Sequence, residues 1–127
     1  MNIDYPVFLR EKDSDELSKF DSLQEMQHQL ERIDVENQEY EVWDSNGIEV
    51  VLSVCEPVWL SLTLQPDGNG PDELRAAVIR YARAGGVSID ESLPLSVIGV
   101  TIERIRSERE RKILARSPIR RFLARFK

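Results

Sequence analysis

Residues 39–65, EYEVWDSNGIEVVLSVCEPVWLSLTLQ, decide the fold of this chain. Large apolar residues occupy every second position along three successive runs of this stretch. A period of two indicates β-strands with one buried face. The stretch also holds both tryptophans and the only cysteine. The alternating apolar positions are Tyr40, Val42, Ile48, Val50, Leu52, Val54, Val58, Leu60, Leu62 and Leu64.

The sequence Asp-Ser-Asn-Gly at 44–47 separates the first two runs and is typical of a β-hairpin turn. A two-residue turn would set Val42 opposite Val51, and the apolar faces of the two strands would then disagree. A three-residue loop that ends at Gly47 sets Val42 opposite Val50, so the faces agree. We therefore predict a bulged hairpin with Gly47 in the left-handed conformation.

The segments on either side complete the prediction of the fold. A second corner at 55–57, again of odd length, keeps the next strand in phase, so 39–65 is predicted to be a three-stranded antiparallel meander. The order of elements, ββαβββαα, predicts an α+β fold: an antiparallel sheet of about five strands with helices mainly on one face. The other predicted elements are strands at 5–10 and 17–20, one helix with the apolar stripe Leu23, Met26, Leu30 and Ile33, and a helix that begins at Pro71 and stops at Gly85-Gly86.

The segment after Ser92 has two readings. We favour a helix, because its apolar residues recur at spacings of three, four and three. The alternative is a strand over 97–105, in which apolar residues also alternate and where Gly99 weakens a helix. The apolar stripe of the helical reading is Leu95, Ile98, Ile102 and Ile105.

Charge divides the chain into two parts. Residues 104–127 hold ten basic and two acidic residues, a net +8, whereas residues 1–103 hold seven basic and 21 acidic residues, a net −14. The length of 127 residues fits a single core. We therefore expect an acidic α+β domain over 1–92 and a helical extension over 93–127, which is either part of the same domain or an oligomerisation arm.

The end of the chain predicts an amphipathic basic helix, with Ser117 as its cap and Pro118 in its first turn. Its apolar stripe suits packing on the acidic body of the chain or on a second copy, which is the reading we favour. An anionic membrane surface and a foreign protein are the open alternatives, and nucleic acid is disfavoured because the body is acidic. The candidate contact residues of this arm are Ile119, Phe122, Leu123 and Phe126, with Arg120, Arg121 and Arg125.

The second face of the meander also carries apolar residues. Trp43, Val51, Cys55 and Trp59 occupy the odd positions and are predicted to point away from the main apolar face. This face is either covered by the C-terminal helices or exposed as a contact surface. We accordingly add Trp43 and Trp59 to the candidate interaction surface.

Residues that could carry chemistry are few. The chain has one histidine, His28, and one cysteine, Cys55, so a nucleophile with its base and orienting group is not expected. The spacings of a zinc site are absent, and the acidic loops lack the pattern of a calcium loop. We therefore predict no catalytic residue, no metal and no cofactor. A single cysteine and an N-terminus without a signal-peptide pattern suit a reducing cytoplasm.

One pattern between residues 20 and 47 consists of Phe20-Asp21-Ser22, Leu30-Glu31, Asp34-Val35-Glu36-Asn37, Glu39-Tyr40-Glu41-Val42-Trp43-Asp44 and Gly47. In this pattern the chain resembles a group of small uncharacterised bacterial proteins. The resemblance covers roughly residues 5–85 and implies a bacterial, intracellular, stand-alone domain. It brings no catalytic residue or ligand, and the arm after Arg104 departs from it.

These observations together predict a non-enzymatic protein–protein interaction module. An immunity-like or adaptor-like role suits a small acidic chain, and the C-terminal arm is a candidate for homodimerisation. Two alternatives stay open: an enzyme that uses carboxylates in a sheet-lined pocket, and a membrane-peripheral protein anchored by residues 117–127.

Overall fold

The alternating runs form one antiparallel sheet. The computed structural model describes residues 2–116, and within them five strands lie in the order β2-β1-β3-β4-β5. The α+β class and the order of elements are therefore confirmed. The strands are β1 Val7–Glu11, β2 Leu17–Phe20, β3 Tyr40–Trp43, β4 Glu49–Cys55 and β5 Trp59–Gln65; the helices are α1 Leu23–Gln29, α2 Arg32–Glu36, α3 Pro71–Ala84 and α4 Ile98–Arg116, with a 3₁₀ turn at Leu95–Val97.

The hairpin between β3 and β4 has the predicted loop. Trp43 lies opposite Glu49, a register that also sets Val42 opposite Val50. The Asp44 N–H donates to the Ile48 carbonyl at 2.9 Å and closes a three-residue loop. Gly47 has φ +74°, the left-handed conformation that glycine adopts without steric cost. The bulged hairpin is confirmed.

The corner between β4 and β5 keeps the apolar faces in phase, as predicted. Cys55 lies opposite Trp59, so three residues form the corner. The same register sets Leu52 opposite Leu62, with both side chains on one face of the sheet. Val58, which the alternation assigned to the buried face, lies in this corner and is exposed.

The sheet separates two apolar cores. The first core lies on the face that carries Phe8 and Trp43, and the two long helices α3 and α4 cover it. The second core lies on the face that carries Leu9 and Val42, where the short helices α1 and α2 contribute Met26 and Val35. Because successive residues of a strand point to opposite faces, β1 supplies side chains to both cores.

The predicted single helix with Ile33 on its buried stripe is wrong. Helix α1 begins with the predicted cap, in which Ser22 Oγ accepts from the Glu25 N–H at 3.1 Å, but it ends at Gln29. Leu30 then adopts an extended backbone (ψ 147°), and this break changes the helical phase before α2. As a result Ile33 is 60% exposed, and Val35 is the buried residue of α2.

The segment after Ser92 is a helix and not a strand. Ile98, Ile102 and Ile105 of α4 are fully buried in the first core, together with Leu74 of α3. The spacing of three and four residues thus identified the buried side of α4 correctly. The division at residue 92 stays a prediction. Within residues 2–116, no helix combines the length and the apolar character needed to cross a membrane.

Candidate functional site: an open sheet edge

Trp43 is not a surface residue. Its side chain is 0% exposed and packs in the first core, because α3 and α4 cover that face of the sheet. The prediction that Trp43 belongs to an interaction surface is therefore wrong. The predicted contact residues of the arm, between Ile119 and Phe126, lie outside the described residues and remain predictions.

Trp59 is half-buried at the first position of β5. Its backbone has φ +60°, a conformation that costs about 1–2 kcal/mol for a residue other than glycine. Strand alternation would place its side chain with the Trp43 face, but the indole packs against the second core instead. The prediction that both tryptophans share one face is therefore wrong, and the left-handed backbone at Trp59 is the cause.

The sheet has two edges, and the β2 edge is protected. This strand has only four residues, one of them Lys19, and the helices α1, α3 and α4 all contact it. Lys19 Nζ lies 2.6 Å from Glu103 Oε1 of α4. A short, charged and covered strand is how native proteins prevent unwanted pairing at an edge.

Basic residues at the start of the basic region bind the chain's own body. Glu16, next to β2, accepts from Arg109 of α4 at 2.7 Å, and the Arg109 guanidinium lies 4.7 Å from the centre of the Tyr81 ring. The hydrogen bond between Lys19 and Glu103 raises the pKa of Lys19 and lowers the pKa of Glu103. Arg109 of the basic region is therefore held by an acidic residue of the body.

The β5 edge has none of these protections. In the described part of the chain, β5 pairs with β4 alone. Its seven residues, WLSLTLQ, include no charged residue and no proline. In an antiparallel strand about half of the backbone N–H and C=O groups point away from the paired neighbour. Such groups of β5 face outward, except that the Leu60 N–H already donates to the Val58 carbonyl at 2.8 Å. We call residues 59–65 the open edge.

A strip of half-buried apolar side chains lies beside the open edge; we call it the apolar strip. On the second-core face of β4 and β5, Val50 and Leu60 are buried, whereas the neighbouring side chains are only half-buried. Helix α1 reaches the end of this strip, where Gln27 Nε2 donates to the Val58 carbonyl at 2.8 Å. The half-buried side chains of the strip are Leu52, Val54, Leu62 and Leu64.

The described residues also form clefts, one of which borders the apolar strip at Leu52 and the open edge at Gln65. A cleft of about 530 Å³ lies between β2, α1 and α4, and its Glu16 carboxylate is already paired with Arg109. A cleft of about 250 Å³ lies between α2 and the sheet, with Tyr40 and Glu49 in its wall. Burial, together with the charge of Asp34, raises the pKa of Tyr40 to about 12, so its hydroxyl stays protonated at neutral pH. Glu49 Oε2 accepts from the Asn69 N–H at 2.9 Å.

The chain has one cysteine and one histidine, and both lie among the described residues. Cys55 is exposed at the end of β4, and His28 lies in the last turn of α1. Among residues 2–116, no group of three or more His, Cys, Asp and Glu side chains could hold a metal ion.

The open edge was missed in the sequence, although its signal was present. The run from Trp59 to Gln65 is the last strand of the meander and has no ionisable residue, in a chain that is 31% charged. The alternation assigned Leu62 and Leu64 to a buried face without showing that β5 ends the sheet. Residues 59–65 form an exposed edge because β5 is the last strand in the order β2-β1-β3-β4-β5.

Comparison of the chain with protein-family models, with curated proteins and with solved structures finds no match in any of the three.

Proposed function

We propose that this chain is a non-enzymatic protein-binding module of the cytoplasm, whose open edge accepts an extended strand from another polypeptide. The observation that supports this function best is the contrast between the two edges of one sheet. The β2 edge is short, charged and covered, whereas the β5 edge is seven residues long, uncharged and unpaired within the described residues.

Strand addition uses what the open edge offers. The outward N–H and C=O groups of β5 would give main-chain hydrogen bonds to an added strand, and the half-buried leucines would contact its alternate side chains. Leu62 and Leu64 lie on the second-core face, so the added strand would extend that core. The side of the apolar strip that borders the edge would then be shielded from water.

The charges around the edge favour recognition by backbone and apolar contacts. The nearest ionisable side chains along the chain are Glu56 and Asp67, beyond the two ends of β5. Glu56 is paired with Arg32 of α2 at 2.9 Å. The net charge of −6 acts over a longer range and would steer basic partners, which is consistent with an adaptor-like or immunity-like role.

A photo-crosslinking amino acid at Thr63 tests the proposed function. Thr63 is exposed on the open edge, so a partner strand would lie against it. The matched control is the same amino acid at Val100, which is 71% exposed on α4 and distant in sequence from the edge. We expect discrete covalent adducts from position 63 in the cells that produce the protein, and fewer from position 100.

Two results would contradict the proposal. The first is the absence of adducts at Thr63 at normal expression, and the second is the same set of adducts from both positions. The alternative of a carboxylate enzyme stays a hypothesis, for which the cleft that contains Tyr40 and Glu49 is the natural place to search.

A further inference from the structure

We infer that the polypeptide at the open edge is a second copy of this chain, paired antiparallel with β5 about a two-fold axis at Leu62. The inference rests on the proposed function and names its partner. The pairing would join two five-stranded sheets into one sheet of ten strands, with the same surface used on both subunits.

The sequence of β5 is complementary to itself. In an antiparallel pair centred on Leu62, residues 60–64 all find a partner on the second strand. Leucine meets leucine on one face, and serine meets threonine on the other. If the register of the two strands shifts by two residues, part of each strand has no partner. If it shifts by one residue, the leucines come opposite the serine and the threonine. The pairs of the centred register are Leu62 with Leu62, Leu60 with Leu64, and Ser61 with Thr63; the left-handed Trp59 lies outside this regular ladder.

This register also makes the apolar strip continuous. Leu60, Leu62 and Leu64 all belong to the second core or pack against it. The two-fold axis places the leucines of both copies on the same face of the joined sheet, so the two strips lie side by side and their opposed leucines contact each other. The pairing of two β5 strands would thus give partners to outward N–H and C=O groups of β5 and neighbours to its half-buried leucines.

The charges permit the pairing of two copies. Two chains of net charge −6 repel at long range, so a self-contact needs a surface without charge. The open edge is such a surface, since none of residues 59–65 is charged and the Glu49 carboxylate, on the strand residue opposite Gln65, already accepts from the Asn69 N–H. Asp67 lies two residues beyond the end of β5, and Glu56 beyond its other end is already paired with Arg32.

The other segment that could occupy the edge fits it less well. Residues 117–127 carry four basic side chains, and an uncharged strand offers them no counter-charge. The acidic surfaces of the body suit these residues better.

Symmetric disulfide trapping tests the register. In a chain with Cys55→Ser, the substitution Leu62→Cys places two thiols opposite each other at the two-fold axis. Directly opposed residues of antiparallel strands have Cα atoms about 4.5–5.5 Å apart, which is within disulfide range. The matched control is Leu64→Cys in the same background. Its two copies lie four residues apart along the strands, roughly 13 Å, which is too far for a disulfide.

We expect mild oxidation to convert most of the Leu62→Cys chain into a covalent dimer and to leave the Leu64→Cys chain monomeric on a non-reducing gel. The unsubstituted chain should also stay monomeric there, since Cys55 is far from the axis in this register. Equal crosslinking of the two variants, or none from Leu62→Cys, would overturn the inference.

Light scattering on the full chain gives an independent test. Leu62→Lys places two like charges at the axis, and we expect the dissociation constant of the dimer to rise at least tenfold. The control is Val51→Lys, which adds the same charge on exposed β4 opposite Thr63 and should leave the mass unchanged. A monomeric full chain at high micromolar concentration would overturn the inference.

The two proposals can fail separately. Adducts at Thr63 that contain only other proteins would overturn the homodimer and support the open edge as a binding site. The absence of any adduct at Thr63, with a monomeric chain in solution, would overturn both.

Discussion

Gly47 and Pro71 are in direct contact, so the β3–β4 hairpin turn packs on the first residue of α3. A Cβ atom on Gly47 would lie 2.9 Å from the Cα, Cβ and Cγ atoms of Pro71, which is closer than real Cβ contacts allow. Gly47 also has φ +74°. The turn therefore needs glycine for two independent reasons, one in its own backbone and one in the neighbouring helix.

We predict that Gly47→Ala lowers the free energy of unfolding by about 1–3 kcal/mol, because the new methyl group meets both constraints. The urea midpoint measures the change. Asn46→Ala is the matched control: Asn46 is exposed and loses one side-chain hydrogen bond, from its Nδ2 to Asp4 Oδ2 at 2.5 Å. Its effect should be smaller, and equal effects of the two substitutions would contradict this account of the turn.

The buried side chain of Asp44 stabilises the same hairpin loop through hydrogen bonds to its backbone. Its side chain is 1% exposed, and Oδ1 accepts from the N–H groups of Asn46 at 2.9 Å and Ile48 at 3.0 Å. Asp44→Ala leaves both donors unpaired, so we predict a loss of about 2–4 kcal/mol in chemical denaturation. Asp44→Asn keeps an acceptor oxygen and should lose clearly less. Equal losses would show that the negative charge matters more than the hydrogen bonds.

Tyr40 makes the fold sensitive to alkali. Burial first, and then the charge of Asp34, raises the pKa of Tyr40 to about 12, so the folded state favours the neutral phenol. This contribution to stability is complete below pH 10, the usual pKa, and is lost as pH rises through 12. We predict that one of the three tyrosines ionises near pH 12 in absorbance titration at 295 nm.

Tyr40→Phe should remove that last titration step and reduce the loss of stability between pH 10 and pH 12. Tyr5→Phe is the control: burial raises the pKa of Tyr5 as well, but the side chain is 36% exposed. If the step at the highest pH persists in Tyr40→Phe, the assignment to Tyr40 is wrong.

Most of the fold was predictable because its signals are local. The apolar period of two identified the meander, and the phase of Val42 against Val50 fixed the length of the hairpin loop. The stripe of Ile98, Ile102 and Ile105 separated helix from strand. In each case a residue's neighbours along the chain determine which side of the element it occupies.

The errors arose where the backbone departs from regular geometry or where distant elements meet. The extended Leu30 interrupts the first helix and exposes Ile33, and the left-handed Trp59 turns its side chain to the other face. The burial of Trp43 depends on α3 and α4, which follow it in the chain. The open edge depends on the order of all five strands, which no local pattern contains.

The arm beyond the described residues gives a further prediction. Its stripe of Ile119, Phe122, Leu123 and Phe126 would contribute roughly 1.5–3 kcal/mol per fully buried side chain. An isolated helix of about ten residues is marginal in water, so the arm needs a surface to pack on. We predict that deletion of residues 117–127 lowers the melting temperature by on the order of 5 °C and leaves the β-sheet folded, as judged by circular dichroism.

A charge variant separates the two forces that would hold the arm. Replacing Arg120, Arg121 and Arg125 by glutamine keeps the apolar stripe and removes the attraction to the acidic body. Its effect should be smaller than that of the deletion and should vanish near 1 M salt, where charges are screened beyond about 3 Å. Because we place the dimer contact at β5, neither change should alter the mass of the assembly. An unchanged melting temperature after the deletion would mean that the stripe does not pack on this chain, and binding to anionic liposomes would then be the decisive measurement.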